Sequence, residues 1–147
     1  MGQQQLLLLV LGVVIVGLAV VVGIEAFTTN RQKTAADDIV STSARISGDA
    51  IAWSLHSTVL GGGGGSPANL TFTSMSYDED ASGAYTSGDA TYTLDVTAAR
   101  VIVVAADATQ GVYAKTGIFG PDADCIVTEN NVGSAPSDPS APAGCSW

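Results

Sequence analysis

Residues Leu6 to Ile24 form 19 consecutive positions without a polar side chain, built only from Leu, Val, Ile, Ala and Gly. As a helix this run spans about 28 Å, close to the roughly 30 Å hydrocarbon core of a bilayer. A stretch that is apolar on every side has no solvent face. It must therefore sit in lipid or be covered by other protein. The 147-residue chain is thus more than a soluble domain, and about 120 residues are left to fold outside the run.

No stop signal follows the run. From Glu25 to Leu60 the chain has no proline and one glycine, Gly48, and Ala36, Ile39, Ile46, Ala50, Trp53 and Leu60 recur at helical spacing. Ser43 and Ser57 fill gaps in that stripe and permit close packing. The spacing predicts one helix from about residue 3 to about residue 60, apolar all round in its first half (1–24) and amphipathic in its second (25–60). Gly12, Gly17 and Gly23 weaken the first half as a helix, each by up to about 1 kcal/mol relative to Ala. The five glycines of 61–67, followed by Ser66-Pro67, end the helix and read as a flexible joint.

Residues 68–147 read as β. Tyr92, Leu94 and Val96 alternate with Thr91, Thr93 and Asp95, and Val101 to Val104 is a continuous apolar run. Strands are expected at Asn69–Met75, Ala90–Thr97, Arg100–Ala106 and Val112–Phe119. Such a sheet is too small to stand alone, and the stripe on the second half-helix is its natural cover. The expected fold class is α+β, with one long N-terminal helix packed on a small antiparallel sheet.

Charge narrows the function. Only 13% of residues are charged. Residues 1–60 hold three cations against four acids, whereas residues 61–147 hold Arg100 and Lys115 against ten acids. An acidic distal part lacks the clustered Lys and Arg that neutralise phosphates, so nucleic acid is not an expected partner. Cys125 and Cys145 match no zinc spacing and have no histidine nearby. A disulfide is the economical reading, and it puts the distal part outside the reducing cytoplasm. The basic residues Arg31 and Lys33 follow the apolar run, which by the positive-inside rule would put that same side in the cytoplasm. A short basic leader removed ahead of Met1 reconciles the two.

These features together resemble the type IV pilins: an apolar helix starting at position 6, the single acid Glu25 just past it, an amphipathic continuation, a small antiparallel sheet and a cysteine-bounded C-terminal region at Cys125 and Cys145. The resemblance covers the whole chain in architecture and the N-terminal third in sequence. It implies the pilin fold and a structural, adhesion-type surface filament, polymerised through Gln5, Leu6, Leu9, Gly12, Val16, Gly17, Val20 and Gly23. It implies cleavage and N-methylation at Met1. The implied partners are identical subunits, the cytoplasmic membrane before assembly and the pilus assembly machinery. The family carries a phenylalanine where this chain has Met1 and a glutamate where it has Gln5. Gln5 cannot neutralise a neighbour's terminal amine and offers only a hydrogen bond. The family's proline near the end of the run is absent, leaving Gly17 and Gly23 as helix breakers. The alternatives are a membrane-anchored extracytoplasmic binding module and a pseudopilin of a secretion apparatus.

No catalytic constellation or cofactor motif accompanies this pattern, so an enzyme is not expected. His56, the only histidine, has no acid–base partner in the local sequence, and the glycine run lacks the Lys-Ser/Thr of a phosphate loop. Asp78-Glu79-Asp80 and Asp122-x-Asp124 could offer oxygens to Ca²⁺ but follow no EF-hand pattern and read as solvated turns. Asn69-Leu70-Thr71 is a formal glycosylation sequon. Phe27 and Trp53, the helix's two aromatics, stand too far apart for a stacked path along it.

Overall fold

The computed structural model describes residues 2–147. One helix, α1 (Gly2–Leu55), runs for 54 residues, about 81 Å at 1.5 Å per residue. Its C-terminal half lies across a sheet of five antiparallel strands in simple meander order: β1 (Tyr85–Ser87), β2 (Ala90–Val96), β3 (Val101–Asp107), β4 (Val112–Ile118) and β5 (Ile126–Val132). This is the α+β arrangement expected from the patterning.

The core forms where the two layers meet. From α1 come Ile39, Ile46 and Ala50, and from the sheet Tyr92, Val101, Val103, Ala105, Val112, Ala114 and Ile118, all essentially inaccessible to water. Ser43, Ser47 and Ser54 are buried in the same stripe. The Ser47 hydroxyl donates to the Ser43 carbonyl at 2.8 Å, so a small polar residue is satisfied within the helix while the sheet approaches closely. Leu60, assigned to the stripe by spacing, is 78% exposed, because α1 has already ended.

The helix stops at Leu55, short of residue 60, because the glycine run turns back over its last turn. The amides of Gly63, Gly64 and Gly65 donate to the carbonyls of Trp53, His56 and Ser54 at 3.0, 2.8 and 2.8 Å. These bonds satisfy acceptors that a helix end leaves open. At Gly63 a Cβ would stand 2.1 Å from the Ser66 carbonyl oxygen and 2.9 Å from the Trp53 ring. The run is a tightly folded cap on the helix, which corrects its reading as a flexible joint.

The strand expected at Asn69–Met75 is not formed. Asn69 and Ser76 both adopt left-handed backbone, with φ of 72° and 68°. Between them the amide of Leu70 bonds Pro67 and that of Met75 bonds Phe72, and Thr73–Met75 is a 3₁₀ turn. Leu70 and Phe72 are nevertheless buried, at 4% and 1% exposure. Their alternation reported burial correctly while the backbone took local partners. Two edge strands escaped notice instead, the three-residue β1 and the polar β5, whose residues Glu129, Asn130 and Asn131 pair with Lys115, Ala114 and Tyr113.

The C-terminal tail covers the far side of the sheet. Ile102, on the opposite face from Val101 and Val103, is 1% exposed. Its cross-strand partner is Gly117, where a Cβ would come within 2.6 Å of Pro139. Lys115 donates to Asp138 at 2.7 Å, with Arg100 at 3.8 Å from the same carboxylate. Cys125 and Cys145 are disulfide-bonded with Cα atoms 5.5 Å apart, so the tail is closed onto the end of the sheet.

Candidate assembly surface

The N-terminal part of α1 projects free of the domain. The first side-chain hydrogen bond from it to the sheet end, among the described residues, is that of the Gln32 amide to the Gln110 carbonyl at 3.4 Å. From Gly2 to Arg31 every residue is exposed, a rod about 45 Å long. Leu6 is 65% and Ile24 63% exposed. The helix is long and apolar enough to cross a membrane, and none of its apolar window is buried within the chain. This degree of uncovered apolar surface marks an interaction site for lipid or protein.

The structure brings Gln5, Leu6, Leu9, Gly12, Val16, Gly17, Val20 and Gly23 onto one broad side of α1, as their spacing requires. The opposite side is equally apolar, so the rod offers contact all round. Gly12, Gly17 and Gly23 have no atom within 4 Å of a notional Cβ. Nothing inside the chain requires a glycine there, and each leaves a shallow notch in the rod. The helix is unbroken through all three. Met1, the residue of the expected processing and methylation, lies outside the described residues.

Between the apolar run and the domain lies a polar collar. The hydroxyls of Thr28, Thr29 and Thr34 each donate to the carbonyl four residues back at 3.0 Å, so these threonines satisfy themselves within the helix. The Arg31 guanidinium folds down over the Phe27 ring, 5.7 Å from its centroid. Sequence reading passed over this pair, although the four-residue spacing of an aromatic and a cation on a helix was its signal.

A second cluster also went unanticipated. The Tyr77 hydroxyl donates to the Asp49 carboxylate, while Arg45 lies 5.4 Å over the Tyr77 ring. Tyr77 stands edge-on to Tyr85 at 4.8 Å, and Tyr85 continues to Tyr92 at 5.8 Å. Burial, and then the bond to Asp49, push the Tyr77 phenol up to about 12. The cluster locks the loop around Thr73–Met75 to the exposed side of α1.

Two acidic residues are held by local partners. One oxygen of Asp80 accepts from the Ser82 hydroxyl at 2.6 Å and from the Ser82 and Ala84 amides at 2.8 and 3.0 Å. These bonds, the hydroxyl first, hold its carboxyl below the ordinary range. Lys115 does the same for Asp138. Among the described residues no three His, Cys, Asp or Glu side chains converge as metal ligands. His56 lies just beyond the end of α1, exposed. No family model, curated protein or solved structure gave a match to this chain.

Proposed function

We propose that this chain is the structural subunit of a type IV pilus-like extracellular filament. The observation that carries the reading is the division of α1. Its second half is buried against its own sheet, while its first half presents an uninterrupted apolar surface that the chain itself leaves uncovered. In this reading the first half holds the monomer in the cytoplasmic membrane and then packs against identical helices in a filament core. The notches at Gly12, Gly17 and Gly23 allow close backbone approach there, and pilus assembly machinery extracts the subunit from lipid. The acidic sheet domain forms the outer surface. A simple anchor for a binding module needs only a bilayer-spanning segment. A rod that continues without a joint into the domain core transmits a fixed orientation to every subunit, which a regular polymer needs.

Electron microscopy and sedimentation of a sheared cell-surface fraction test the reading. Filaments that pellet without detergent and contain this chain as their main component are expected. A chain that stays with the membrane and enters solution only with detergent would refute polymerisation and favour the anchored module.

A further inference from the structure

An open crevice of about 670 Å³ lies where α1 leaves its apolar run and meets the lower edge of the sheet. Phe27 and Arg31 line it from the helix, and Asp89 and Asp107 from the sheet end. Its position relative to the apolar run gives it a chemical setting. Phe27 stands three residues past Ile24, about 4.5 Å along the helix axis. Arg31 leaves the helix one turn above Phe27, and its guanidinium lies over the Phe27 ring, 5.7 Å from the centroid. A bilayer's headgroup layer extends roughly 5–8 Å beyond the hydrocarbon on each side. With the run in lipid, the Arg31–Phe27 pair therefore faces the headgroup layer, with Phe27 at its apolar base.

The carboxylates stand higher. The β3–β4 turn touches α1 at Gln32, about 12 Å above Ile24 along the axis. Asp107 opens that turn, and Asp89 immediately precedes β2 at the same edge of the sheet. One oxygen of Asp107 is occupied by the Thr109 and Gln110 amides at 2.9 and 3.0 Å. Asp89 is exposed. The crevice thus offers one guanidinium low and, higher, the exposed carboxylate of Asp89 beside the nearly buried carboxylate of Asp107, with Asp38 on the upper wall.

We propose that this crevice binds the headgroup of a zwitterionic ethanolamine phospholipid while the chain is held in the membrane. Arg31 donates to the phosphate diester. Asp89, aided by the charge of Asp107, accepts from the primary ammonium, whose three N–H donors have no counterpart in a choline headgroup. An anionic glycerol headgroup finds the same Arg31 but brings only neutral hydroxyls, and no cation, to the acids. The inference rests on the membrane-held stage of the proposed function and adds the lipid class that this stage selects.

The test uses the full chain reconstituted in phosphatidylcholine vesicles doped with phosphatidylethanolamine or phosphatidylglycerol. Flotation reads insertion, and native mass spectrometry after mild detergent release reads retained lipid. The chain should float with all three compositions and retain the ethanolamine lipid about tenfold over the other two, as expected for charge-assisted contacts. Arg31→Gln and Asp89→Asn, both at exposed positions, should each abolish most of that preference while leaving flotation unchanged. Flotation with equal retention of ethanolamine and choline lipids, or with the glycerol lipid preferred, would overturn the site and leave membrane insertion intact. Failure to float in any composition would overturn the membrane-held stage and the site with it.

Discussion

The Tyr77 hydroxyl donates to the Asp49 carboxylate across 28 residues of sequence, pinning a loop without regular strand pairing to the one element that runs the length of the molecule. Because the phenol is pushed up to about 12, above its ordinary value near 10, the folded state favours the protonated form. The associated stability is fully present below pH 10 and is lost as pH rises through about 12. Tyr77→Phe keeps the ring under Arg45 and removes only the donor. It should cost about 1 kcal/mol at neutral pH and flatten the loss of stability above pH 10. Denaturant unfolding of the full chain in detergent at several pH values measures both effects.

Opposite outcomes are expected for two glycines, one in the cap and one outside it. Gly63→Ala forces a methyl group against Ser66 and Trp53 and should destabilise the fold by about 1–3 kcal/mol. Gly48→Ala, on an exposed turn of α1 with nothing within 4 Å, should stabilise it by up to about 1 kcal/mol. Thermal unfolding of both variants decides the matter, and no loss of stability in Gly63→Ala would refute the cap.

The Cys125–Cys145 bond closes a 20-residue separation, worth about 3 kcal/mol in the loop-entropy model. Replacing both cysteines by serine should lower stability by about that amount. Hydrogen exchange should rise first in the tail and in β5, the edge strand that leads into it. Non-reducing peptide mapping of the native chain should recover the two cysteines joined within one subunit.

If the filament reading holds, Gln5 is a neutral partner for a neighbouring subunit's terminal amine. Gln5→Leu removes its hydrogen-bonding group and should weaken assembly by about 1–3 kcal/mol per subunit, whereas Gln5→Glu should be tolerated. Filament yields of the two variants in one expression background provide the comparison. Normal yield from the leucine variant would show that assembly does not depend on Gln5.

In the isolated chain the helix is continuous through Gly12, Gly17 and Gly23. In an assembled core, glycine lowers the cost of leaving the helical well, and neighbouring helices can shield the released backbone groups. A filament reconstruction is expected to show ordered helix lost somewhere between Gly12 and Gly23. An unbroken helix there would remove the extension mechanism without touching the polymer itself.

What the sequence determined by itself was local and periodic. The apolar run could only be a helix set in lipid or covered by other protein, since its backbone must bond internally wherever lipid or apolar protein surrounds it. The stripe through Ile39, Ile46 and Ala50, and the alternation in β2, were likewise legible because side-chain direction follows directly from helical or extended geometry. Leu70 and Phe72 show where such reading stops: their period announced burial, but only the assembled fold decided that this backbone would satisfy itself in turns. β5 was invisible for the converse reason. Glu129, Asn130 and Asn131 have no strand pattern of their own, and their conformation comes from the open edge of β4 beside them. The folded-back glycine cap, the Arg31–Phe27 pair at the helix exit and the tail over Gly117 depend on distances between segments remote in sequence or on a rotamer choice. Close packing and the pairing of buried polar groups set those distances, and neither exists until the layers have met.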